Sequence, residues 1–147
     1  MGGGAGGVRL EAIEASIDAV SARGDPTALI YAKLFAAHPE TEALFARDAS
    51  GQVRGHMLYE ALEAVRDLAG ARTYAPHWIA SEYVNHQQMQ VPAHLFARFF
   101  DAIADALEES LGESWTPAMA GAWAGVRADV AALIEERDAL GASSQGI

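Results

Sequence analysis

The chain has 147 residues, of which 51% are hydrophobic and 20% charged, with a formal net charge of −10 and no cysteine. This length suits a single domain, and the composition is typical of a globular protein. The negative charge argues against binding to nucleic acid or an anionic membrane, and the lack of cysteine excludes disulfides and thiolate chemistry. No apolar stretch approaches the roughly 20 residues of a membrane span. We therefore expect a cytoplasmic protein without membrane contact.

Proline and glycine residues divide the chain into seven expected helices, because proline fits a first helical turn and glycine favours a helix end. Asp25 before Pro26 and Thr116 before Pro117 each predict an N-cap followed by the first helical residue. The expected helices cover 8–23, 26–38, 39–45, 52–70, 76–88, 92–111 and 117–140.

No segment alternates with period two for long enough to predict a β-strand. The sequence therefore predicts an all-α fold with one domain at 8–140. The glycine-rich start, 1–7, is expected to be a flexible leader without the pattern of a signal peptide. The last residues, 141–147, are expected to form a flexible tail.

A histidine is expected on the inner face of the helix at 76–88. Ile79, Tyr83 and His86 follow the spacing i, i+4, i+7 and so share a face, whereas His77 lies about half a turn away and should face solvent. An inward imidazole is either a hydrogen-bonded core residue or a neutral metal ligand. Its chain neighbours are mostly amides, which are poor metal ligands. A haem needs only one protein ligand, because the porphyrin supplies four nitrogens.

The helix at 52–70 has one mostly apolar face and one acidic face. The first carries Arg54, Leu58, Ala61, Val65 and Leu68. The second carries His56, Glu60, Glu63 and Asp67, and is expected to face away from the interior. Arg54 is thus the polar residue at the inner edge, although its stem could equally pack on the rim with the guanidinium in water.

Aromatic and aliphatic stripes mark the remaining helices. Tyr31 shares a stripe with Leu34 and Phe35, and a phenol buried there would need a hydrogen-bond acceptor. Two further stripes predict core packing and do not by themselves indicate a cofactor. They consist of Phe96, Phe99, Phe100, Ile103 and Leu107, and of Trp123, Val126, Val130 and Leu133.

Three segments carry a resemblance to a known family. They are IYAKLFAAHPETEALF (30–45), NHQQMQVPAHLF (85–96) and LGESWTPAMAGAWAGVRADV (111–130). From about residue 9 to 138 the chain resembles a bacterial single-domain haemoglobin and is similar to the globin domain of flavohaemoglobins. The resemblance implies a globin fold, with helices packed three over three around haem b (iron protoporphyrin IX).

The resemblance also implies roles for individual residues. His86 occupies the position of the proximal iron ligand, and Tyr31 that of the distal tyrosine that donates a hydrogen bond to bound oxygen. Leu58 occupies the apolar position above the iron. Arg54 stands where the family carries glutamine or histidine. The haem contacts expected from the resemblance are Phe45, Leu58, Val91, Phe96, Phe99, Val126 and Val130.

One departure from the flavohaemoglobins concerns the proximal side. Their tyrosine, which pairs with an acid and with the proximal histidine, is replaced here by Phe96. The acid position falls on Asp138, where we expect a solvent-exposed carboxylate. We therefore expect the second ring nitrogen of His86 to bond to a backbone carbonyl or water. This arrangement favours O2 binding over peroxidase or NO dioxygenase activity.

The function implied by the resemblance is reversible binding of O2, with NO and CO as further ligands, for oxygen transport or NO handling. We expect weak enzymatic turnover at most, and only with a separate reductase. Two alternatives are a haem-based gas or redox sensor acting through a partner protein, and a haem-less globin-like interaction domain.

Overall fold

The computed structural model describes the backbone of residues 4–145 and the side-chain burial of residues 7–141. This part of the chain contains helices and no β-strand, which confirms the all-α class. Two of the helices are short 3₁₀ segments, Pro39–Phe45 and Gly112–Ser114. The α-helices are α1 Gly4–Ser21, α2 Thr27–Ala37, α3 Gln52–Ala69, α4 Ala75–Gln88, α5 Ala93–Leu111 and α6 Pro117–Gln145.

The helices begin and end close to the expected positions, except at the two ends of the chain. Thr116 caps α6 as expected, since its Oγ1 accepts the Met119 N–H at 3.1 Å. The carboxylate of Asp25 accepts the N–H of Thr27, so α2 begins one residue later than expected.

The outer ends of α1 and α6 extend into the segments that were expected as a leader and a tail. Helical backbone includes 4–7 and 141–145, because each residue added to an existing helix gains one hydrogen bond. The rest of the expected leader and tail, residues 1–3 and 146–147, lies outside the described residues.

The α-helices pack in two layers of three. Helices α1, α3 and α4 form one layer, and α2, α5 and α6 form the other; the most extensive packing joins α1 to α6 and α2 to α5. Trp123 of α6 is fully buried, and its Nε1–H donates to Ser16 Oγ of α1 at 2.9 Å. Ser16 in turn donates to the Ile13 carbonyl, so this polar contact is satisfied inside the core. None of the helices within 4–145 is long and apolar enough to cross a membrane.

The position of α4 depends on a carboxylate at the end of α3. Asp67 accepts the backbone N–H groups of Thr73, Tyr74 and Ala75, which precede and begin α4. Burial by itself would raise the pKa of Asp67, but these hydrogen bonds outweigh it and lower the pKa to about 2. Because α4 carries His86, this contact also fixes where that side chain lies.

We expect Asp67→Asn to lower the free energy of unfolding by about 1 kcal/mol at pH 7, because a charged acceptor is replaced by a neutral one. The pKa of Asp67 is lower in the folded protein, so its contribution is complete above about pH 4 and is lost as the pH falls towards 2. Urea unfolding at pH 7 and pH 2.5 measures this. The difference between wild type and variant should shrink at the lower pH, while Asp105→Asn, at an exposed site, should change little at either pH.

Candidate functional site

A cavity of about 540 Å³ lies between α3, α4, α5 and the 3₁₀ helix Pro39–Phe45. This volume is in the range of cofactor and small-molecule sites. Most of its wall is apolar, with Leu34 from α2 and leucine, methionine and valine side chains from the other elements. Its aromatic residues are Phe45, Trp78, Phe96, Phe99 and Phe100.

His86 lies in the wall formed by α4, and 18% of its side chain is exposed. Its Nδ1 lies 2.7 Å from the carbonyl oxygen of Glu82, one turn earlier in the helix. A carbonyl oxygen can only accept, so Nδ1 is the donor, and in the neutral ring Nε2 then keeps its lone pair. The carboxylate of Glu82 is farther away, 3.8 Å from Nδ1. The imidazole is therefore held in the tautomer that a metal ligand requires. His77 is exposed on the opposite side of α4.

The expected haem contacts divide into two groups. Those lining the cavity are Phe45, Val91, Phe96 and Phe99. Those buried in the helical core instead are Leu58, Val126 and Val130. The second group belongs to apolar stripes, and core packing accounts for stripes of this kind without a cofactor.

The cavity face of α3 is rotated by about one residue from the expected face. It carries Val53, His56, Met57, Glu60 and Ala61. Leu58, the residue expected above the iron, points into the core with 4% of its surface exposed. His56 and Glu60 face solvent, as expected for the acidic face, but both also line the cavity. His56 reaches the mouth of the cavity with 71% of its side chain exposed.

Arg54 does not line the cavity, because Asp48 holds its side chain at the start of α3. Its Nε lies 3.1 Å from the Asp48 carboxylate, and one terminal nitrogen donates to the Asp48 carbonyl at 2.9 Å. The same carboxylate accepts the backbone N–H groups of Val53 and Arg54 and so caps α3. Burial would raise the pKa of Asp48, but these bonds and the guanidinium lower it below the usual range.

Tyr31 lies directly behind the cavity wall. Its ring packs against Phe45 and Phe99, at centroid distances of 5.3 and 5.4 Å. Its hydroxyl donates to the backbone carbonyl of Arg54 at 3.1 Å. Burial raises the pKa of Tyr31 well above its usual value, so the phenol stays a neutral donor. The structure thus supplies the acceptor that a buried phenol requires.

A tyrosine–acid pair that the sequence did not predict lies beyond the proximal wall. Asp138 is exposed as expected, but it accepts a hydrogen bond from Tyr83 at 2.8 Å. The Tyr83 ring is buried against Phe96, which in turn contacts the His86 ring. Burial and then the bond to Asp138 raise the pKa of Tyr83 to about 12. The signal in the sequence was the inward face that Tyr83 shares with His86.

The family assignment rests on comparison with known proteins. The Globin family model matches residues 28–134, from α2 to most of α6. The protein is a globin. The matched region contains every residue that lines the cavity. No curated protein shows a significant match to the chain.

The cavity of this globin satisfies the chemical requirements of a haem. His86 supplies one imidazole with a free lone pair, and the aromatic and aliphatic walls suit the flat apolar macrocycle. Arg47 and His56 line the cavity where it opens to solvent, and both can donate hydrogen bonds to carboxylates. These two residues would hold the propionate groups, and the sequence pattern had singled out neither for that role.

Proposed function

We propose that this globin holds haem b through His86 and reversibly binds O2, with NO and CO as further ligands. The observation that carries the proposal is the hydrogen bond from His86 Nδ1 to the Glu82 carbonyl inside a mostly apolar cavity. When bound, the haem supplies an iron centre that needs one protein ligand. The other residues of the cavity orient the group and exclude water from it.

The environment of His86 supports a binding role over oxidative catalysis. A carbonyl acceptor raises the basicity of an imidazole less than a carboxylate acceptor does, because it carries no full charge. The Glu82 carboxylate, at 3.8 Å, lies beyond hydrogen-bonding distance, and Phe96 offers only an aromatic face. We infer that this proximal side is poorly suited to peroxidase or NO dioxygenase chemistry, and that turnover requires a separate reductase.

The experiment that tests this function compares binding with turnover in the haem-loaded protein. Repeated exposure to O2 and removal of O2 should give reversible spectral changes without loss of haem. NO consumption with an excess of external reductant should be slow, and Phe96→Tyr, which adds a polar group beside His86, should raise it. Fast NO consumption by the wild type would contradict the binding role and identify an enzyme.

A further inference from the structure

Two histidines and a glutamate converge outside the cavity. His38 ends α2, Glu40 lies in the first turn of the 3₁₀ helix Pro39–Phe45, and His94 lies in the first turn of α5. One ligand atom from each of the three lies within 4.8 Å of the others. His38 Nδ1 is 3.8 Å from the Glu40 carboxylate, and the two imidazole centroids are 6.1 Å apart.

The geometry points to a second metal site here, formed by His38, Glu40 and His94 and selective for a late first-row divalent cation such as Zn²⁺. Imidazole and carboxylate are ligands that Zn²⁺ binds at about 2.0–2.2 Å. His94 and Glu40 are exposed, so their side chains can rotate to close the remaining distance. Mg²⁺ and Ca²⁺ are disfavoured, because both prefer sets of oxygen ligands.

A simple ion pair between His38 and Glu40 would not explain why His94 lies beside them. His94 is separated from Glu40 by all of α3 and all of α4 in the chain, and the packing of α2 on α5 brings the two segments together. Three protein ligands leave one tetrahedral position for water. The cluster therefore has the ligand number and ligand types of an open zinc site rather than those of a simple surface pair.

Both segments that form the proposed site continue into the wall of the cavity. Thr41 lines the cavity and donates both its backbone N–H and its hydroxyl to the His38 carbonyl. Leu95, which follows His94, also lines the cavity. An ion held here would join the corner after α2 to the start of α5. Because His86 is not one of the proposed ligands, binding of the ion does not depend on whether the cavity holds a haem.

Isothermal titration of Zn²⁺ into the tag-free full-length chain, carried out with and without prior addition of haemin, tests the site. We expect one saturable site per chain. His94→Ala and Glu40→Gln should each weaken binding by roughly tenfold or more, since even the loss of a residue that only supports a ligand costs that much. His77→Ala, which removes an exposed histidine from α4, should leave the affinity unchanged, and Mg²⁺ should give no saturable heat.

Circular dichroism checks that each variant keeps its helical content, and exposure of His94 and Glu40 makes loss of folding unexpected. Equal Zn²⁺ affinity for wild type and His94→Ala would overturn the proposal. An equal loss of affinity in His77→Ala, or no saturable Zn²⁺ binding by the wild type, would overturn it as well.

Discussion

Replacing His86 by alanine should increase the rate of haem loss by more than about a hundredfold. Losing a residue that only supports a metal ligand already costs ten- to a hundredfold, and His86 is the proposed ligand itself. The apolar cavity would still bind haem loosely, because burial of the macrocycle remains favourable. Transfer of haem to an excess of a haem-free acceptor globin measures the rate.

Two histidine variants serve as controls for His86→Ala. His77→Ala removes an exposed residue from the same helix and should behave like wild type. His56→Ala removes a residue at the cavity mouth and should have a modest effect, through the propionates alone. In His86→Gly, added imidazole should restore a wild-type spectrum. Haem retention in His86→Ala equal to that of wild type would show that another residue holds the iron.

The second large effect is expected on the distal side, where Tyr31→Phe should speed O2 release about five- to tenfold. The phenol donates to the neutral Arg54 carbonyl in the absence of ligand and would have to turn towards bound O2, which draws negative charge. Hydrogen bonds to charged groups contribute about 1.5–3 kcal/mol and neutral ones about 0.5–1.5. Exchanging the Arg54 carbonyl for bound O2 as the acceptor therefore stabilises the bound state by about 1–1.5 kcal/mol. At about 1.4 kcal/mol per tenfold change, this corresponds to the stated change in the rate of O2 release.

Stopped-flow measurement of O2 release decides whether Tyr31 turns. CO draws less charge, so its release should change little in Tyr31→Phe. Tyr59→Phe, at an exposed position on α3, is the matched control. An unchanged rate of O2 release would mean that Tyr31 keeps the Arg54 carbonyl as its acceptor when ligand is bound. The polar side chains of α3 that line the cavity are His56 and Glu60, and these two would then be the candidates for contact with the bound ligand.

Features governed by short-range rules could be predicted from the sequence. Thr116 caps α6 as expected, and the i, i+4, i+7 spacing correctly placed Ile79 and Tyr83 in the core. The same spacing put His86 on an inner face, where the structure has it lining the cavity. Helical periodicity depends on backbone geometry alone, so these inferences needed no knowledge of the packing.

The rotation of α3 could not be predicted, because this helix has apolar residues on two adjacent faces. Leu58 and Val65 pack into the core, while Val53 and Met57 line the cavity. A pattern of apolar residues does not distinguish a face against protein from a face against a cofactor.

Two polar contacts depended on the tertiary structure. The sequence placed Arg54 at the inner edge of its helix. In the structure, the loop after the 3₁₀ helix places Asp48 next to Arg54, and the two side chains form an ion pair. The Tyr83–Asp138 bond joins α4 to α6 across 55 positions of sequence, a distance at which no local pattern operates. Both contacts bear on the site: the first keeps the Arg54 guanidinium out of the cavity wall, and the second gives Asp138, which was expected only as a solvent-exposed carboxylate, a tyrosine as its hydrogen-bond donor.

The absorption spectrum of the purified protein with haemin, recorded in the ferric, ferrous and CO-bound states, decides whether His86 holds a haem in this cavity. We expect one haem per chain, a ferrous CO spectrum typical of histidine ligation, and loss of that spectrum in His86→Gly until imidazole is added. A protein that binds no haem stoichiometrically, or whose CO spectrum is the same in wild type and His86→Gly without imidazole, would contradict this expectation.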